Sequence, residues 1–305
     1  MDFKEFSEKI TKNVTTYLGD DVSAEVKEVT KNNGVKLHGL IISKKHSSVS
    51  PTIYLDGFFR EYKQGKGLGD IVFEIVDIYE KNKVSAGINL DFFMDYQAVK
   101  GRIFIKAVHY EKNKKMLEDV PHVHFLDLAM VCYYSYMNDF LGKGSIQIET
   151  SHLDRWGISE EELFATAKSN TRDKLGMEVK GMQEILEEML IENTGADREE
   201  LESMLQHSEQ EIPMYIMTLK GRYFGAACIC YEEMLKSFGK QCGKSFYILP
   251  SSIHELILIP DSGKEEPKAL RRMVQEVNAG YVAPEERLSD NIYYFDLVES
   301  RLQMF

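Results

Sequence analysis

The chain has 305 residues, 43% of them hydrophobic and 28% charged, an ordinary globular composition with enough apolar side chains for a substantial core. Asp and Glu number 49 against 37 Lys and Arg, and the net charge of -12 argues against a broad nucleic-acid or anionic-membrane surface. The longest nearly uncharged apolar segment, Leu126 to Met137, contains Asp127 and is closed by Asp139, too short a run to span a bilayer.

The opening residues alternate charges without an apolar signal core, which predicts a cytoplasmic protein. Four cysteines, Cys132, Cys228, Cys230 and Cys242, are too few and too unevenly spread for a secreted disulfide scaffold. Reduced thiols filling a core are the expectation.

Phe3, Phe6, Ile10 and Val14 recur at helical spacing and predict a helix over 3–18 that ends near Gly19. Alternating runs from Val22 and Val35 flank Asn33-Gly34, a hairpin signal. Residues 44–50 read as a loop, and a new element begins at Pro51-Thr-Ile-Tyr-Leu55. Gly65-Lys-Gly-Leu-Gly69 precedes a helix for which Asp70 reads as the cap. Its spacing is neither G-x-G-x-x-G nor a Walker A loop, so it is a flexible approach to that helix.

A short helix near Leu90 to Tyr96 leads to a strand at Arg102–His109, a helical or turn connection over 110–116, and a central strand at Ala129–Tyr134 paired with Ser145–Glu149. Ser159 and Glu162 form a capping box. Further helices are expected at Val179–Asn193 and after Asp197, within an acidic run, Glu184 to Glu211, that reads as a solvated face, a linker or an interaction surface. A strand at Met214–Thr218, a packed Phe224–Tyr231 leading to a helix that stops near Gly239, a helix from Glu265 to Asn278 and an edge strand at Ile292–Phe295 complete the pattern.

The expectation is an α+β protein with mostly antiparallel sheets and packed helices. It divides into an N-terminal α+β region 1–150, a helical acidic connector 151–211 and a C-terminal α+β region 212–305 that packs as one unit with the first or stands apart.

The C-terminal region centres on Phe246 to Pro260, two apolar strands around a polar island, Ser251, Ser252, Ile253, His254 and Glu255. Pro250 has no N–H for a sheet ladder, so pairing stops there and the island sits at a strand end. A zincin helix needs His-Glu-x-x-His, and here Leu258 occupies the place of the second histidine. Leu-Pro-Ser-Ser-Ile is not a G-x-S-x-G elbow. The polar residues read first as a hydrogen-bonded strand corner.

His122 and His124, two apart, face one side of a strand and with His254 or a carboxylate are weak candidates for metal ligands. Asp91, Asp95 and Glu111 form no recognisable acid/base pair. Every catalytic template fails, so the favoured function is a non-catalytic binding or regulatory protein presenting 251–255 to an unknown small molecule or protein, with no cofactor, nucleic acid or membrane. The alternative is a hydrolase, metal-assisted through His254 with His122 and His124, or serine-based through Ser252 and His254.

Over nearly its full length the chain resembles an uncharacterised family of Gram-positive anaerobic bacteria, a domain of unknown function. The resemblance rests on Pro51–Leu55, Pro121–Leu128 with its Phe-Leu-Asp-Leu, His152–Trp156, Met214-Tyr-Ile-Met, Gly225-Ala-Ala, Leu249-Pro-Ser-Ser-Ile-His-Glu255 and Leu288-Ser-Asp290. It implies a bacterial, intracellular protein and assigns no activity.

Overall fold

The computed structural model describes residues 1–44, 52–82, 90–138, 142–185, 187–188, 213–250 and 252–305. The loop beyond Lys44, most of the acidic run, the helix after Asp197 and Ser251 lie outside the described residues. The fold is α+β with antiparallel sheets. The chain divides into two compact units, Met1–Arg102 with Tyr134–Gln147, and Ile103–Tyr133 with Ile148–Phe305. Both are discontinuous in sequence, unlike the consecutive regions 1–150, 151–211 and 212–305.

In the first unit, α1 (Phe3–Leu18) begins at a reciprocal capping box. The Glu5 amide donates to Asp2 Oδ1 at 2.8 Å, and the Asp2 amide reaches Glu5 Oε2 at 3.4 Å. The helix ends at Gly19, as its spacing predicts. β1 (Val22–Thr30) and β2 (Lys36–Lys44) pair antiparallel around Asn33 and Gly34, both at positive φ, so the hairpin forms where the Asn-Gly pair places it.

The segment from Pro51 is a three-residue strand, β3 (Thr52–Tyr54), that passes directly into a helix not foreseen in the sequence, α2 (Leu55–Lys63). α3 (Leu68–Asn82) starts before Asp70, which lies in its first turn and does not cap it. Phe6, Ile10 and Val14 of α1, Leu40 and Ile42 of β2, Ile53 of β3, and Ile71 and Ile75 of α3 form one buried cluster. Each such side chain stabilises the unit by roughly 1.5–3 kcal/mol on transfer from water. Residues 96–99 form a short helix, α4 (Tyr96–Val99), and from Tyr134 onward the end of β6 (Leu128–Asn138) is joined by β7 (Gly142–Gln147).

In the second unit β4 (Ile103–His109), the first half of β6 and β5 (His122–Phe125) lie side by side, after α5 (Lys114–Leu117). α6 (Thr150–Trp156) and α7 (Glu160–Asn170) follow, the latter capped by Ser159. A six-stranded antiparallel sheet has the order β13 (Arg301–Met304), β12 (Tyr293–Asp296), β10 (Phe246–Leu249), β11 (Glu255–Pro260), β9 (Tyr215–Leu219), β8 (Met177–Gly181).

The helix expected to begin at Val179 is strand β8 over 177–181, paired with β9 from Met177 opposite Leu219. Ile292–Phe295 is not an edge, because β13 pairs outside β12. The helix that was to stop near Gly239 is α8 (Glu232–Cys242). Gly239 lies within it, packed against Leu297 and Phe246, and the helix ends instead at Gly243, which takes the left-handed conformation.

β10 is buried along its whole length. Tyr247 and Leu249 pack with Leu270 and Val274 of α9 (Pro267–Gly280) on one face, and Phe246 meets Phe238 of α8 and Phe295 of β12 on the other. Burial on both sides explains the uninterrupted apolar run.

Candidate functional site

The corner between β10 and β11 is held by backbone bonds from several directions. The Ser289 amide donates to Pro250 O at 3.0 Å, the Ile253 amide to Glu286 O at 2.9 Å and the Ala226 amide to Ile253 O at 3.3 Å. Ser252 Oγ accepts the His254 amide at 2.9 Å, and Thr218 Oγ1 donates to His254 O at 2.8 Å. Gly225 is pressed into this corner: a Cβ there would lie 2.4 Å from His254 O and 2.7 Å from the Leu219 nitrogen, and both neighbours are backbone. Ser252 and His254 are thus hydrogen-bonded to each other at this corner, with Thr218 and Gly225 beside them as neighbours that sequence spacing did not reveal.

The His254 imidazole faces a strained turn. Arg222 and Phe224 both adopt left-handed backbone, at φ 50 and φ 56. A bulky residue in this region is uncommon and costs of order 1–3 kcal/mol, maintained only where the surroundings over-determine it. The surroundings of Phe224 do so: its ring stacks on His254 at 5.8 Å and 7°, meets Tyr133 edge-on at 4.9 Å and carries Lys106 Nζ 5.0 Å above it.

The Phe224 amide points at His254 Nδ1 at 3.3 Å. An amide N–H can only donate, so Nδ1 is the acceptor and the ring proton sits on Nε2. Nε2 lies 3.6 Å from Glu286 Oε1, and the two side chains are 20% and 49% exposed, which places an N–H and a carboxylate together at the surface. Tyr223, 38% exposed, adds an aromatic ring 5.4 Å from the imidazole.

Segment 286–293 is anchored from the other side by Asp127, in the β5–β6 turn. Asp127 Oδ2 accepts Ser289 Oγ at 2.5 Å and Asn291 Nδ2 at 2.8 Å, and Oδ1 accepts the Tyr293 hydroxyl at 2.5 Å. Tyr293 is fully buried, and burial followed by the Asp127 charge raises its hydroxyl well above the ordinary tyrosine range. Asn278 Nδ2 donates to Ser289 O and Asp290 Oδ1, and Lys112 Nζ to Asp290 Oδ2. Phe-Leu-Asp-Leu and Leu-Ser-Asp, far apart in sequence, thus meet and fix the strip that carries Glu286.

The remaining sequence candidates stand elsewhere. Ser251 lies outside the described residues. Glu255 opens β11 opposite Thr218, and the carboxylate beside His254 is Glu286 instead. His122 and His124 do share a strand face, where both rings lie against Tyr110, at 5.9 and 4.4 Å; His122 Nδ1 donates to Val120 O. Among the described residues no three His, Cys, Asp or Glu side chains are grouped to hold a metal ion. Cys132 and Cys228 are fully buried, and burial raises their thiols, that of Cys228 to about 12. Cys230, partly buried, is likewise pushed up to about 12 by burial, so these thiols are protonated at neutral pH. No described helix is long and apolar enough to cross a membrane.

No curated protein and no solved structure matches the chain. A family model described as a family of unknown function (DUF5688) matches residues 3–297, nearly the whole chain, and spans both the Asp127 anchor and the His254 corner. The chain belongs to this family.

Proposed function

We propose that the chain is a cytoplasmic binding or regulatory protein whose ligand docks, without catalysis, on His254, Glu286 and Tyr223. The observation that carries the reading is the orientation of His254: an amide donor behind the ring directs its single proton outward, beside a half-exposed carboxylate. A donor and an acceptor side by side match an amide group, whose carbonyl accepts from Nε2–H and whose N–H donates to Glu286, while Tyr223 offers a ring face for packing. The ligand class is therefore a small molecule or a peptide segment presenting an amide. Strain held at Arg222 and Phe224 supports the same reading, since it fixes the ring before anything binds.

The hydrolase alternative draws less support. Ser252 is 6% exposed, its hydroxyl oxygen accepts a backbone amide, and each His254 ring nitrogen is directed at a group other than that serine. Among the described residues, His122 and His124 have no third His, Cys, Asp or Glu grouped with them to hold a metal ion.

A thermal-shift and calorimetric series with N-acetylated dipeptide amides tests the proposal. His254→Asn keeps an acceptor near the Nδ1 position for the Phe224 amide and removes Nε2–H. The wild type is expected to show a ligand-induced rise in Tm that His254→Asn lacks while melting close to wild type alone. Equal shifts in both proteins, or none in the wild type, would refute this site.

A further inference from the structure

The first unit holds a second ordered imidazole, with the opposite polarity. His38 lies on β2, two residues before buried Leu40, and Asp56 is in the first turn of α2. Asp56 binds His38 twice: Oδ2 accepts the His38 amide at 2.7 Å and Oδ1 accepts Nδ1 at 2.9 Å. A carboxylate only accepts, so the proton is on Nδ1 and Nε2 carries a lone pair. The doubled bond fixes both the carboxylate and the ring, since neither can rotate without breaking one of them. Among the described residues Nε2 has no hydrogen-bond partner, and the imidazole side chain is 38% exposed. One side of the ring lies against Phe3, 4.2 Å away, which itself meets Phe59 edge-on at 5.2 Å.

A carboxylate that orients an imidazole and leaves Nε2 bare is the arrangement that makes histidine a base or a nucleophile. Structural need alone does not account for it, because capping the His38 amide requires only one carboxylate oxygen. We propose that His38 and Asp56 form a reactive site separate from the non-catalytic His254 corner, in which Nε2 attacks activated acyl esters with an aromatic leaving group, the Phe3 and Phe59 rings supplying an apolar wall. The Nε2 lone pair forms a bond to the ester carbonyl carbon and the bond to the phenolate oxygen breaks. The resulting acyl-imidazolium loses its Nδ1 proton towards Asp56. Water then adds to the acyl carbon and gives up a proton to the phenolate, the carbon–nitrogen bond breaks as Asp56 returns its proton to Nδ1, and the products are a carboxylic acid, a phenol and the original imidazole.

The full-length chain is assayed with p-nitrophenyl acetate, and in parallel each histidine's rate of modification by diethyl pyrocarbonate is followed by peptide mass spectrometry. Exposed His124, which among the described residues has no carboxylate partner, serves as the internal reference. The expected result is modification of His38 on the order of tenfold faster than His124, with p-nitrophenolate release falling by a similar factor in His38→Gln. If His38 reacts no faster than His124 in the wild type, or if folded His38→Gln releases p-nitrophenolate at the wild-type rate, the proposal is overturned. The comparison within the wild-type chain decides the matter even where the variant fails to fold.

Discussion

His254 and His38 are each held through Nδ1, one by a donor and one by an acceptor. A backbone amide behind His254 forces the proton outward onto Nε2, whereas Asp56 behind His38 draws the proton inward and leaves Nε2 bare. The first imidazole presents a donor, beside Glu286; the second presents a lone pair, beside an aromatic wall. The same side chain in two settings thus acquires different chemistry from a single hydrogen bond on its far side. The supports differ as well: a strained turn and a long-range polar anchor surround His254, while one residue at a helix start serves His38.

The largest break in this contrast is expected from Asp127→Ala, which leaves the Ser289, Asn291 and Tyr293 donors without their acceptor. Hydrogen bonds to a charged group are worth roughly 1.5–3 kcal/mol each, so a loss of about 3 kcal/mol or more is expected in chemical denaturation. His38 should keep its reactivity in the folded fraction. Next in size, Thr218→Val removes the hydroxyl that donates to His254 O at nearly constant volume, an expected loss of about 1–2 kcal/mol. Its counterpart in the first unit, Asp56→Ala, should cost a similar amount and free the His38 ring to exchange tautomers, which nuclear magnetic resonance detects.

Much of the frame was legible in the sequence. Helical spacing marked α1, Asn33-Gly34 marked the first hairpin, and Pro250 marked the end of β10, because each is a local rule acting on adjacent residues. Val179 misled because Met-Glu-Val-Lys-Gly precedes a helical pattern and pairs with a strand far along the chain, and pairing of that kind leaves no local trace. Ser252 and His254 were found because they interrupt an apolar run. Glu286, Phe224 and Thr218 were not, since they come from three other segments that only the sheet brings together. Asp56 carried a faint signal, an acidic residue just inside a helix start, but that helix was itself missed. His38 looked like one more residue of an alternating strand.

Smaller effects sharpen the contrast through pH. Burial, and after it the Lys112 ammonium, hold His109 below its ordinary value of 6.5. Its contribution to stability is therefore complete above 6.5 and is lost as pH falls through the lowered folded value. His109→Gln should flatten the stability profile below pH 6.5, measured by urea unfolding.

The smallest change is expected at Glu265. Partial burial pulls this carboxyl up, but bonds from the Ser262 hydroxyl and the Ser262 and Lys264 amides outweigh it and hold the group down at about 2. Its contribution is present above the ordinary value of 4.5 and disappears as pH falls through about 2. Glu265→Gln should thus lower Tm slightly at neutral pH and converge with the wild type in strong acid.

The opposite polarity of the two imidazoles is tested most directly by long-range proton–nitrogen correlation spectra of nitrogen-15-labelled protein near neutral pH. The prediction is a pyridine-like Nδ1 and a protonated Nε2 for His254, and the reverse for His38. The same tautomer at both positions, or free exchange between tautomers at either, would contradict it.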